Sequence, residues 1–273
     1  MKIAAFDFDH TLIDVNSDTY IDKLLIKDSD TKRYKYPDSV EDLYKQFNWT
    51  YRMNGVFEYM NTNHNITKSD LINCLNEIKI NDSMINVIKR LYQNGYKLSI
   101  ISDANTVFIE TILRQNNVYD NFHKIFTNPA DFDENGRLNV KPFSEIFNKD
   151  GTPFDCSTRI CSSNICKGGI CFISFILSFY ISIQLFLKIR LKDVLKSYIS
   201  ELKSNLNEDL SHLVYVGDGT NDYCPGILLS DNDSYFVRKH HSLSRLLQKE
   251  DLASRIRTQV KYWLNADDIL NHL

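Results

Sequence analysis

Short runs of consecutive apolar residues alternate along this chain with stretches whose apolar positions recur every three or four residues. "KIAAFDFD" opens the chain as a buried strand, "YKLSIISDAN" (96–105) reads as a second and "HLVYVGDGTND" (212–222) as a third. "HKIFTNPADF" is a weaker strand, followed by the turn "DENG" at 133–136. "DSMINVIKRLYQNG", with a glycine stop at Gly95, and "DVLKSYISELKSNL" carry helical periodicity before the second and third strands. Strands alternating with helices predict a mostly parallel sheet covered on both faces. Ligands of such sheets bind beyond the carboxyl ends of the strands, where Asp7, Asp9, Ser102, Asp103 and Asp218 fall. From about residue 15 to 80, "DTYIDKLL", "VEDLYKQFNWTYRMNGVFEYMN" and "TKSDLINCLNEI" suggest helices without intervening strands. The pattern therefore predicts a core of residues 1–14 and 96–273 with a helical cap of residues 15–95, inserted after the first strand.

Composition narrows the class of protein. A formal net charge of −3 over 273 residues argues against a nucleic-acid partner. The apolar run of "MKIAAFDFDHTLID" is too short for a signal peptide and is soon interrupted by acidic residues, so a cytoplasmic protein with reduced thiols is expected. Cys156, Cys161, Cys166 and Cys171 recur every fifth residue, which is not the paired spacing of a zinc knuckle. With Cys74 and Cys224 they read as ordinary thiols.

The chemistry gathers at the strand ends. Alternation along an extended chain places Asp7 and Asp9 of "FDFDHT" on one side and Phe8 on the other. Two like charges so close need a cation or share a proton. Mg²⁺ suits them as a hard ion that takes carboxylate oxygens, and a carboxylate can itself attack phosphorus. The plainer reading is a turn with chance acidic residues. "GDGTND" (217–222) adds Asp218 and Asp222 in a glycine-rich turn, "IISDAN" adds the hydroxyl of Ser102, and "ICKG" adds Lys167, a point charge suited to a phosphate oxygen. His10 is not assigned as a ligand. His240 and His241 read as a solvated basic turn, and the many Tyr and Phe residues read as core.

"DFDHT", "ISDAN", Lys167 and "GDGTND", in that order, resemble the haloacid dehalogenase superfamily of phosphatases. "FDFDHTLIDVNSDTYI", "KIFTNPADF", "NICKG" and "YVGDGTNDYCP" narrow the resemblance to its PHOSPHO-type branch, which includes phosphoethanolamine/phosphocholine and pyridoxal phosphate phosphatases. The resemblance implies an α/β Rossmannoid core with a parallel sheet and a C1-type helical cap. It implies a Mg²⁺-dependent phosphomonoesterase working through an aspartyl-phosphate on a small phosphate ester. Asp7 would be the nucleophile and Asp9 the general acid and then base. Thr11 and Ser102 would hydrogen-bond the phosphoryl group, with Lys167 neutralising it. Mg²⁺ would be held by Asp7, the backbone carbonyl of Asp9, and Asp218, with Asp222 fixing Lys167 or a metal-bound water. Asp18 and Asp103 match acidic positions that face the substrate head group. For Asp18 a helix N-cap is an equal reading, because "NSD" is good capping chemistry.

One stretch fits none of this. Residues 170–187 within "ICFISFILSFYISIQLFLK" carry no charge and reach the lower limit for a membrane span. A span here would put Asp7, Ser102 and Lys167 on one side of the bilayer and Asp218 and Asp222 on the other, so membrane attachment is not expected. Deleting residues 169–192 joins "NICKG" to "DVLKSYISEL". The expectation is an apolar insert, a translated retained intron or gene-model error. A catalytically impaired binding protein and a membrane-attached phosphatase are the alternatives that this insert raises.

Overall fold

The structure, a computed structural model, describes residues 1–26, 33–143 and 211–273. The expected strands form. Lys2–Phe6 (β1), Tyr96–Asn105 (β2), Phe122–Asn128 (β3), His212–Gly217 (β6), Ser234–Arg238 (β7) and Val260–Trp263 (β8) make one six-stranded sheet. Its order is β3-β2-β1-β6-β7-β8 and every pairing is parallel. The weak strand proves to be β3, and the turn "DENG" closes a separate antiparallel hairpin of Ala130–Phe132 (β4) and Leu138–Val140 (β5).

Both faces of the sheet are covered, as continuous apolar runs require. Side-chain alternation sends Ala4, Phe6, Leu98, Ile100, Val214, Val216 and Phe236 to one core cluster. Ile3, Ala5, Ile101, Leu213, Tyr215, Tyr235 and Val237 go to the other.

The block after β1 is helical: Ser17–Tyr20 (α1), Asp38–Gln46 (α2), Trp49–His64 (α3) and Lys68–Asn76 (α4). Capping chemistry sets these boundaries. Asn48 caps α3, and Thr67 with Asp70 forms a reciprocal capping box at α4. Gly55 lies where α3 meets α2, since a Cβ there would stand 2.6 Å from Leu43 Cδ1. The next helix, Asp82–Gln93 (α5), packs on β2 and on the C-terminal helix Ala266–Leu270. Thr106–Gln115 (α6) follows β2 directly, capped by Asn105. The helix expected at 193–206, the four cysteines from Cys156 to Cys171 and the apolar stretch 169–192 lie outside the described residues. Among the described residues, no helix is long and apolar enough to cross a membrane.

The helical block is joined to the core cluster that lies on one face of the sheet. Phe57 of α3 meets Phe108 of α6 edge to face, with ring centroids 5.8 Å apart. Asn54, also on α3, donates to the carbonyl of Val140 and accepts from its amide, both at 2.8 Å. One side chain thus closes the free edge of β5 onto the helix. Asn54→Leu deletes both bonds and strands two partly buried backbone groups, so a loss of about 2 kcal/mol is expected in urea unfolding. An unchanged midpoint would show that water replaces the amide at no cost.

Candidate active site

Sheet register brings the acidic motifs together. Phe6 pairs with Val216 on one side and Ile100 on the other. The amide of Asp7 extends the ladder by donating to the carbonyl of Val216 at 2.9 Å. Asp7, Asp218 and Ser102 therefore leave the sheet side by side at its carboxyl edge, all buried. Asp7, Asp218 and Asp222 each place a carboxylate oxygen within 4.8 Å of the others.

The three carboxylates are not equivalent. Asp222 is fully enclosed. One of its oxygens accepts from Tyr215 OH at 2.7 Å, and the other accepts from the amides of Asp218 at 2.9 Å and Gly219 at 2.8 Å. It braces the 217–222 loop from beneath. Gly217 is needed for this fit, because a Cβ would stand 2.5 Å from the Asp222 carboxylate. Burial and the Asp222 charge hold the Tyr215 phenol well above its ordinary range, so it stays a donor. Tyr235 OH donates to the Asp222 carbonyl at 2.7 Å. These two tyrosines, which the sequence suggested were only core, orient the loop.

Asp218 accepts from Thr11 Oγ1 at 3.1 Å and lies 2.9 Å from His241 Nδ1. The reading of His241 as part of a solvated turn is therefore corrected: the turn folds back over the end of β6. His240 is exposed and has a positive φ of 64°. Asp7 and Asp218 offer hard, buried oxygens of like charge, a donor set that fits Mg²⁺. Asp222, already engaged by three donors, fits as their support.

Asp9 accepts the amide of Ser17 at 2.8 Å. Removal from water, then the neighbouring Asp18 charge, raise its carboxyl to about 7, against the lowering effect of the Ser17 amide. At neutral pH a proton is thus available on Asp9, as a general acid requires. Ser102 Oγ accepts the amide of Ala104 at 3.2 Å, which leaves its own proton to donate. Asn128 of "TNPA" holds the end of β2 through the carbonyls of Asp103 (2.7 Å) and Ala104 (3.0 Å). Asn221 donates to Asp103 Oδ2 at 2.6 Å. Lys167 lies outside the described residues.

Asp18 is not the N-cap of its helix. Asn16 is, accepting the amide of Thr19 at 3.0 Å. Asp18 instead accepts from Trp49 Nε1 of α3 at 2.6 Å. Neither Trp49 nor His241 stands in a recognisable motif, and no local pattern marked them.

Burial first, and the Asp103 charge second among the raising effects, lift Asp18 from 3.8 to about 6, against the lowering effects of Trp49 and Arg52. The folded protein then keeps a proton that the unfolded chain has lost between these values. Stability from this group accordingly falls as pH rises through that window. Asp18→Asn removes the loss. The variant is expected to be more stable than the parent at pH 7.5 by on the order of 1–3 kcal/mol, the difference closing below pH 4. Denaturant titrations at both pH values check this; a pH-independent difference contradicts it.

Comparison with known proteins agrees with the geometry. The family described as "Putative Phosphatase" matches residues 2–176 and 190–273. The break at 177–189 falls inside the apolar stretch. The pyridoxal phosphate phosphatase PHOSPHO2 of Bos taurus is 31% identical over 278 residues, covering 100% of this chain and 98% of the relative. The phosphoethanolamine/phosphocholine phosphatase of Homo sapiens is 28% identical, covering 99% of this chain and 87% of the relative. A substrate-bound phosphoserine phosphatase structure superposes with a TM-score of 0.51 at 14% identity, covering 100% of this chain and 98% of that one, a likeness of fold.

Proposed function

The chain belongs to the haloacid dehalogenase phosphatases of the PHOSPHO type, and from that premise we propose that it is a Mg²⁺-dependent phosphomonoesterase for small esters with a cationic leaving group. The observation that carries this reading is the buried set of Asp7, Asp218 and Asp222 at the carboxyl edge of the sheet, with Asp9 beside it.

Asp7 attacks the phosphorus, forming an aspartyl-phosphate as the bond to the leaving oxygen breaks. The leaving alkoxide takes its proton from Asp9. Water then attacks the phosphorus, the bond to Asp7 breaks, and Asp9 takes the proton that water loses. Such chemistry depends mainly on positioning and charge neutralisation. Asp7, the backbone carbonyl of Asp9, and Asp218 would hold Mg²⁺. When bound, the ion cancels negative charge on the phosphoryl oxygens. Thr11 orients Asp218, Ser102 donates to the phosphoryl group, Lys167 adds a neutralising charge, and Asp222 keeps the loop in shape.

Asp18 and Asp103 set the preference for the leaving group. Two carboxylates beside the phosphate position repel an anionic leaving group and attract a nitrogen that carries or can take a positive charge. The relatives named for phosphoethanolamine/phosphocholine and for pyridoxal phosphate support this class, since each of those esters carries such a nitrogen. The helices between residues 17 and 76 serve as the cap that encloses the leaving group.

Phosphate release from phosphoethanolamine, phosphocholine and pyridoxal phosphate, measured with Mg²⁺ and with chelator, tests the reading. Turnover is expected only with the ion, and Asp7→Asn should lower it by about a thousandfold or more. Full activity of that variant, or equal release in chelator, would overturn the assignment.

A further inference from the structure

Trp49 is the first residue of α3, placed by the Asn48 cap, whose Oδ1 accepts the amide of Tyr51 at 3.2 Å. Its indole N–H reaches across to Asp18 Oδ2 at 2.6 Å. The ring is held by its neighbours. The Arg52 guanidinium lies over it at 4.8 Å, and Tyr44 meets it edge-on with centroids 5.8 Å apart. Arg52 is in turn fixed to Glu41 by two bonds, Nε to Oε2 at 3.0 Å and Nη2 to Oε1 at 2.7 Å. That pairing offsets part of the guanidinium charge, which still acts on Asp18.

We propose that Trp49 is a positioning residue for leaving-group choice: its N–H fixes Asp18 so that the second carboxylate oxygen is presented to a cationic head group. The inference rests on the reading of the site given above. Its chemical sense lies in the neutrality of indole. A lysine or arginine at this position would hold the carboxylate and cancel its charge. An indole N–H holds it and leaves the charge in place. Among the described residues, Asp18 Oδ1 takes part in no hydrogen bond, and Asp18 itself is buried. The amide of Ser17, the preceding residue in the chain, is bonded to Asp9, so Asp18 stands one residue from a direct contact with the proposed general acid. The device ties α3 to α1, because Trp49 begins α3 and Asp18 lies in α1, next to the Ser17 amide that bonds Asp9.

The test compares phosphoethanolamine with ethylene glycol monophosphate, which has a hydroxyl in place of the ammonium group and nearly the same size. In the parent protein kcat/KM favours the cationic ester. Trp49→Phe keeps a ring but removes the N–H. It is expected to lower that preference by about five- to tenfold, chiefly through KM for phosphoethanolamine. In an Asp18→Asn background the same change should have no further effect on the preference, because the N–H acts through Asp18. An unaltered preference in Trp49→Phe overturns the inference and leaves the leaving-group reading intact, since the ring then only packs. Equal loss in the Asp18→Asn background also overturns it. A parent protein that shows no preference defeats the leaving-group reading, and the inference with it.

Discussion

Two buried carboxylates held at neighbouring positions of a sheet edge are the constraint on which the rest of this site depends. β1 and β6 are paired in register, so Asp7 and Asp218 must emerge together whatever their mutual repulsion. Two charges about 5 Å apart at an effective dielectric near 20 repel by roughly 3 kcal/mol. Asp222 shows the internal solution, with a phenol and two amides around one carboxylate. Asp218 is met by Thr11 and His241, and with Asp7 it forms a pair of oxygen donors that suits a hard divalent cation.

Two contacts bind the helical block to the rest of the fold, and a third, inside the block, reaches the site. Phe57 packs on Phe108, Asn54 closes the free edge of β5, and Trp49 meets Asp18. The first two place the block relative to the sheet, and the third holds Asp18 of α1, beside the Ser17 amide that bonds Asp9. On the proposed function, phosphoryl chemistry belongs to the strand ends and the leaving group is read beside them, by Asp18 of the helical block and Asp103 of β2.

Much of this was legible in the residues. Apolar runs ending in Asp7, Ser102 and Asp218 marked parallel strands and their active edge, because burial on both faces leaves a local signature. Helical periodicity and capping residues marked the block after β1. What local pattern does not carry is the pairing of distant side chains. Tyr215 looked like core and is core, yet its hydroxyl also braces Asp222. His241 looked like a solvated turn, but the chain folds back and places its Nδ1 2.9 Å from Asp218. Asp18 looked equally like a cap, and only the structure shows Asn16 in that role. The hairpin of β4 and β5 showed its turn in the sequence and hid its partner, since Asn54 lies 86 residues away from Val140.

The central claim is that Asp7 carries the phosphoryl group during turnover. Acid-quenching the protein during hydrolysis of phosphoethanolamine with Mg²⁺, then reducing it with borohydride, converts an aspartyl-phosphate to homoserine. Peptide mass spectrometry should find that conversion at residue 7, dependent on substrate. Homoserine at another aspartate, or none at any position while phosphate is released, would contradict the account.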